Sequence, residues 1–127
     1  MKKVLIIGCG LLGSSLVRSI SKKKLAKKIF IYEKSKSNIA KIKRLKLPGI
    51  IVKSLKDGVI NSNLVIFCTP MSEYKKIILK INRFLSPKVL ITDIGSSKIE
   101  SSKIIKKSLK LFLCIRSLAY RQLLNLN

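Results

Sequence analysis

A doubly wound parallel α/β sheet is what this sequence predicts, on three observations. Short apolar runs alternate with amphipathic helical stretches, the pattern of strands joined by crossover helices. The first run, residues 4–7, breaks into Gly8-Cys9-Gly10-Leu11-Leu12-Gly13 and resumes with helical periodicity. Gly-x-Gly-x-x-Gly therefore stands between a strand and a helix, where a nucleotide-binding turn needs it. An acid, Glu33, follows twenty residues past Gly13, at the end of the second run. With these three together the α/β prediction becomes Rossmann-type.

Residues 4–7 form the first strand and residues 11 to about 21 the first helix, with Leu12, Leu16, Val17 and Ile20 inward. Residues 29–32 are the second strand. Ser35 caps a second helix that turns Ile39, Ile42 and Leu45 inward and ends at Pro48-Gly49, since serine can accept a first-turn amide and proline cannot continue a helix. A short third strand covers 50–52 and a brief helical turn 55–59. Residues 64–68 are apolar throughout and end in Thr69-Pro70, as a central strand covered on both faces should. The next helix carries Tyr74, Ile77, Ile78 and Ile81 on one face and Lys75, Lys76 and Lys80 on the other, and Ser86-Pro87 ends it. A fifth strand spans 89–92, a further helix 97–109 and a sixth strand 111–113.

The chain has 127 residues, one domain's worth. Its formal net charge is +23, which raises the question of a nucleic-acid partner. Lysines are 23 of the 28 basic residues and are spread over nearly every polar face, without aromatic interleaving or a single basic helix. That distribution argues for nonspecific adhesion to polyanions and against a specific nucleic-acid site. Lys2-Lys3 and the apolar run after them mimic a secretory leader, but three glycines interrupt the run and basic residues follow it. No stretch approaches the roughly 18 apolar residues of a membrane span. Three cysteines, an odd number with two at strand ends, fit small apolar groups in a reducing compartment. A cytoplasmic protein without membrane attachment or a metal site is expected.

In the glycine loop, Gly8 permits the turn, Gly10 lets backbone approach a pyrophosphate, and Gly13 lets helix and strand pack closely. The helix that follows aims its first amides and positive dipole end at the phosphates. Glu33 can accept hydrogen bonds from an adenosine ribose diol and repel a 2′-phosphate, so NAD is favoured over NADP, although Lys34 and Lys36 weaken the exclusion. A parallel sheet gathers its strand ends on one edge, and three motifs converge there: the glycine loop, Cys68-Thr69-Pro70, and Thr92-Asp93-Ile94-Gly95-Ser96-Ser97-Lys98.

On Gly8-Cys9-Gly10-Leu11-Leu12-Gly13-Ser14-Ser15-Leu16, Ile31-Tyr32-Glu33, Cys68-Thr69-Pro70 and above all Thr92 to Lys98, residues 1 to about 112 resemble the prephenate and arogenate dehydrogenase family of tyrosine biosynthesis. The family's version of the last stretch is Thr-Asp-x-Gly-Ser-x-Lys, seldom found in other nucleotide-binding enzymes. The resemblance implies NAD-dependent oxidative decarboxylation of prephenate or arogenate, a small-molecule substrate. It implies cofactor contacts from Gly8, Cys9, Gly10, Leu11, Leu12, Gly13, Glu33, Cys68, Thr69, Pro70 and Asp93, and a catalytic role for Ser96 beside a histidine.

The family's histidine lies in His-Pro-x-Ala-Gly about twenty residues past the serine loop, whereas this chain contains no histidine and reads Cys114-Ile115-Arg116-Ser117-Leu118-Ala119 there. With one choice of synonymous codons, reading that stretch from the third base of the Cys114 codon gives His-Pro-Ile-Ala-Gly. Residues 1–112 are thus expected to be the NAD-binding domain and 113–127 a divergent tail translated out of frame. The helical domain through which the family dimerises is not expected in this chain, which alone should be inactive. Two other classes stay open from sequence: a stand-alone nucleotide-binding or regulatory module, and a basic nucleic-acid-associated protein.

Overall fold

The structure, a computed structural model, describes residues 3–94. Strands β1 (Lys3–Ile7), β2 (Lys28–Tyr32), β3 (Ile50–Ile51), β4 (Leu64–Phe67) and β5 (Leu90–Asp93) form one parallel sheet in the order β3-β2-β1-β4-β5. Helices α1 (Leu11–Lys22), α2 (Lys36–Arg44), α3 (Leu55–Ile60) and α4 (Tyr74–Ile81) make the crossings, and α4 is flanked by 3-10 turns at Met71–Glu73 and Asn82–Phe84. This is the Rossmann-type architecture expected from sequence.

The strand order creates the site. The chain lays β2 and β3 to one side of β1, then returns to lay β4 and β5 on the other, leaving a crevice where the two directions part. The register pairs Ile7 with both Tyr32 and Phe67, and Phe67 with Asp93. One row of strand ends therefore carries Gly8, Glu33, Cys68 and Asp93 to the same edge.

Side-chain alternation along the strands divides the core. Leu5, Ile7, Val65, Phe67 and Ile91 meet Val59, Tyr74, Ile78 and Ile81 on the face covered by α3 and α4. Val4, Ile6, Ile29, Ile31 and Ile66 meet Val17, Ile20, Ile42 and Leu47 on the face covered by α1 and α2. Both faces of β1 and β4 are filled, which is why those strands read as unbroken apolar runs.

Two inward assignments are corrected. Leu12 is 63% exposed and Leu45 53% exposed. In α1 the row that meets the sheet is Gly13, Val17 and Ile20, so Leu12 falls one position off it, in the turn that leaves the glycine loop. Leu45 is the C-cap of α2, and Lys46 takes φ +51°. The Leu47 amide then donates to the Ile42 carbonyl at 3.3 Å and that of Lys46 to Lys43 at 3.2 Å. This Schellman turn throws the chain back, and Leu47 takes the core position instead. The fourth helix also ends sooner, at Ile81, and the 3-10 turn of Asn82–Phe84 carries the chain toward Ser86-Pro87.

The helix expected over 97–109, the sixth strand at 111–113, Ser96, and the Cys114 stretch lie outside the described residues. Among the described residues, no helix is long and apolar enough to cross a membrane, and no group of three or more His, Cys, Asp or Glu could hold a metal ion.

Candidate nucleotide-binding site

The turn from β1 into α1 shows why each glycine stands where it does. Gly8 has φ +89°, and a Cβ there would stand 2.7 Å from Thr69 Cγ2 and 3.1 Å from the Cys68 carbonyl. A Cβ on Gly13 would run into the Gly8 carbonyl oxygen, so this contact sets how closely α1 packs on β1. Gly10 is the opposite case. A Cβ there meets nothing within 4 Å, and the empty volume over it is where a ligand's phosphates can approach backbone.

The loop's amides are partly committed. Gly8 N–H donates to the Tyr32 carbonyl at 2.8 Å, and Cys9 N–H donates to Glu33 Oε2 at 2.7 Å. Helix α1 has Gly10 at its N-cap and no side-chain cap, whereas α2 and α3 are capped by Ser35 and Ser54. The first-turn amides of α1, with the dipole behind them, are left to an anion.

Glu33 is held from two directions. Besides the Cys9 bond, its Oε1 accepts from Ser35 N–H at 3.1 Å, while Ser35 Oγ accepts from Asn38 N–H as the α2 cap. The carboxylate thus links the glycine loop to the start of α2 and faces a cleft of about 550 Å³ that also includes Gly10, Lys34, Leu55, Thr69, Glu73 and Ile77. Across this cleft Lys34 Nζ stands 3.8 Å from Glu73 Oε1.

A second cleft, about 580 Å³, lies on the other side of Gly10, with Leu11, Leu12, Cys68, Pro70, Met71 and Ile94 in its walls. Thr69 and Cys68 are shared between the two. Thr69 Oγ1 is buried and has no hydrogen-bond partner, an orphaned acceptor and donor at the junction. The Cys68 thiol is pushed up to about 12, chiefly by burial and secondarily by the neighbouring Cys9 thiol and the Asp93 carboxylate. Cys9 is likewise raised by burial, then by Glu33, against the lowering effects of the Ser14 hydroxyl and Arg18. Both thiols stay protonated at neutral pH and act as packing groups, not nucleophiles.

Asp93, at the end of β5, is buried and accepts from the Tyr74 hydroxyl at 2.8 Å. Burial, then the Asp93 hydrogen bond, raises the tyrosine's pKa far above its ordinary value. Tyr74 packs edge-on against Phe67 with ring centroids 5.0 Å apart, so α4 is pinned to the end of β5. Sequence reading placed Tyr74 on the buried stripe but not in this bond. The available signal was a tyrosine on an otherwise apolar face, whose hydroxyl needs a partner when buried. Glu73 was also missed, because its pairing depends on how two loops approach.

The structure brings Gly8, Gly10, Leu11, Leu12, Glu33, Cys68, Thr69 and Pro70 around the two clefts, while Cys9 and Gly13 line neither and are buried behind the loop. It places Asp93 at the same edge but turned to Tyr74. The open volume at Gly10, the uncapped α1 terminus, the fixed carboxylate and the orphaned Thr69 hydroxyl fit a dinucleotide laid across the loop, one half in each cleft.

Comparison with known proteins agrees. The sequence model of the family described as prephenate dehydrogenase, nucleotide-binding domain, matches residues 16–116. That match starts past the glycine loop, so it supports the assignment independently of that motif. The chain is similar to a cyclohexadienyl dehydrogenase of Zymomonas mobilis, 28% identical over 108 residues, covering 85% of this chain and 37% of the relative. The structure is similar to the prephenate dehydrogenase of A. aeolicus in complex with hydroxyphenyl propionate and NAD+, with TM-score 0.75 and 26% identity over 86% of this chain and 38% of that one. It also shares its fold with Synechocystis arogenate dehydrogenase, at TM-score 0.71 and 21% identity over 84% of this chain and 37% of the other. The chain thus spans under two fifths of the length of these relatives.

Proposed function

Because the chain belongs to the family of prephenate dehydrogenase nucleotide-binding domains, we propose that it is the NAD-binding part of an oxidoreductase acting on prephenate or arogenate. The observation that carries the reading is the pairing of an uncapped helix terminus behind Gly10 with a carboxylate fixed at the β2 end. NAD, when bound, supplies the acceptor for a substrate hydride.

The pyrophosphate lies over Gly8 to Leu12, where the first-turn amides of α1 are uncapped. Glu33 accepts from the adenosine ribose diol with lone pairs that Cys9 and Ser35 leave over. The Thr69 hydroxyl, without an internal partner, donates to the cofactor at the junction of the clefts, and Leu11, Leu12, Cys68 and Pro70 exclude water from its second half. Asp93 acts on the site by tying the end of β5 to Tyr74, and Ser96, three residues on in sequence, assists proton removal from the substrate hydroxyl.

Proton removal needs more than these groups. The chain has no histidine, and imidazole is the side chain whose ordinary pKa suits a base at neutral pH. We therefore assign the base to the His-Pro-Ile-Ala-Gly of the shifted frame at Cys114, with the helical domain, substrate closure and dimerisation following in that frame. Residues 1–112 are the nucleotide domain, the 127-residue chain alone is inactive, and its place is the cytoplasm.

Titration with NAD at moderate salt, alongside a DNA titration over a salt series, tests the nucleotide reading. Saturable NAD binding is expected, and salt-sensitive DNA binding without NAD binding would overturn it. A prephenate assay on the chain alone, and on one with the frame restored before Cys114, tests the catalytic part. Turnover by the chain alone refutes the histidine assignment, and a gene lacking the shifted motif refutes the frame assignment.

A further inference from the structure

The adenosine-side cleft has more positive charge than Glu33 alone can oppose. Lys34, Lys76 and Lys80 line it. Helix α2 points its N-terminus toward Glu33 through Ser35 and has no acidic residue in its first turn, where Lys36 stands instead. The Glu33 carboxylate accepts two backbone amides at 2.7 and 3.1 Å, so part of its field is spent on the chain's own dipoles. Charge of this kind beside a ribose would welcome a 2′-phosphate, since an adjacent cation is what accommodates NADP in such folds.

Glu73 is the other carboxylate in that cleft. It is borne on the 3-10 turn of Met71–Glu73, ahead of α4, and its Oε1 lies 3.8 Å from the ammonium of Lys34. Lys34 directly follows the ribose-binding acid in sequence, so of the three lysines it is the one tethered beside the diol. We propose that Glu73 is a cofactor-specificity residue: by holding Lys34 across the cleft, it denies that cation to a 2′-phosphate and keeps the site selective for NAD over NADP. This rests on the NAD-binding reading given above.

Specificity is a difference of affinities, so a modest pair can set it. Lys34 is 72% exposed and Glu73 31%, and an ion pair so placed is worth little to stability and is screened by salt. What it changes is which anion the ammonium is available to. Removing Glu73 frees Lys34 for a 2′-phosphate and leaves an NAD ribose with the same acceptor as before.

The test is a double-mutant cycle read by equilibrium titration of the full chain with NAD and NADP. Glu73→Gln is expected to tighten NADP binding by about fivefold, the scale of one surface ion pair, with NAD affinity changed less than about twofold. Lys34→Met in the Glu73→Gln background should remove the gain, and rising salt should diminish it. An unchanged NADP-to-NAD ratio in Glu73→Gln overturns the proposal. So does a gain that persists without Lys34, which would mark a general effect of net charge. A wild-type chain that binds no NAD refutes the nucleotide reading itself. A wild type that binds NAD while Glu73→Gln leaves the ratio unchanged refutes only the specificity role.

Discussion

On one side of Gly10 the cleft is bounded by charge and fixed by hydrogen bonds, with Glu33 tied to Cys9 and Ser35 and Lys34 reaching Glu73. On the other side it is bounded by Leu11, Leu12, Pro70, Met71 and Ile94, and Leu11 is 89% exposed. The two clefts are alike in volume, about 550 and 580 Å³, and unlike in chemistry. The first has fixed donors and acceptors, Glu33, Lys34 and Glu73 among them, to which the proposed function gives the adenosine side of the cofactor. The second has mostly apolar walls, and within the described residues it presents no group suited to accept a proton at neutral pH. The two sides of Gly10 thus differ in what they can offer a ligand: fixed polar groups on one, apolar walls on the other.

The sharpest way to break that comparison is in the loop the clefts share. Gly13→Val drives a side chain into the Gly8 carbonyl oxygen, and backbone cannot yield as a flexible side chain would. A loss of more than about 3 kcal/mol is expected, read as a fall in the denaturant midpoint. Gly10→Ala in the same loop meets nothing within 4 Å and should leave that midpoint unchanged while weakening NAD. If both variants unfold alike, the distinction between packing glycine and ligand-facing glycine is wrong.

Next in size is Glu33→Ala, confined to the charged cleft. It removes the acceptor of the Cys9 and Ser35 amides as well as the proposed ribose acceptor. Charge-assisted bonds of this kind are worth about 2 kcal/mol, so NAD affinity should fall by about thirtyfold and NADP by less. Equal losses for both cofactors would show that Glu33 acts only as a strut for the loop.

These contrasts were unequally legible in sequence. Glycine spacing and the distance to Glu33 locate the loop and the acid because both follow from one local strand-turn-helix unit. The apolar runs of β1 and β4 locate the sheet because burial on both faces leaves no polar position. Leu12 and Leu45 were misplaced because helical periodicity does not tell where a helix leaves the sheet: Gly13 takes the packing row in α1, and a Schellman turn substitutes Leu47 for Leu45 in α2. The Lys34–Glu73 pair was not legible, and Tyr74–Asp93 was legible only as a buried hydroxyl in need of some partner. Each joins residues far apart in sequence, brought together only when the strand order 3-2-1-4-5 is set.

Tyr74→Phe bears on the other half of the comparison, since it cuts the tie between α4 and the end of β5. The hydroxyl donates to a buried carboxylate, and its loss should cost about 1.5 kcal/mol while adenosine-side binding, measured with AMP, stays within about twofold of wild type. The pH dependence has a definite sign. The tyrosine's pKa is raised in the fold by burial first and then by Asp93, from an ordinary value of 10.0. Its contribution is therefore full below that value and is lost as pH climbs above it, where the unfolded chain releases the proton and the fold does not. The stability gap between wild type and Tyr74→Phe should shrink as pH rises past about 10. A gap that widens there would mean that the hydroxyl is not the group concerned.

The smallest expected effect lies at the junction, where Thr69 borders both clefts. Its methyl faces Gly8, close enough that a Cβ on that glycine would clash, and its buried hydroxyl has no partner. Thr69→Val keeps the shape and removes the oxygen. In the free chain this relieves a buried unsatisfied group and should raise stability by about 1 kcal/mol. With NAD the sign reverses, because a hydroxyl that donates to the cofactor is lost, and affinity should fall by about fivefold. Denaturation of the free chain and NAD titration of the same variant read the two terms separately. Opposite signs mean that the hydroxyl's desolvation cost is kept for the ligand; a gain in stability with unchanged affinity means that the cofactor passes Thr69 without touching it.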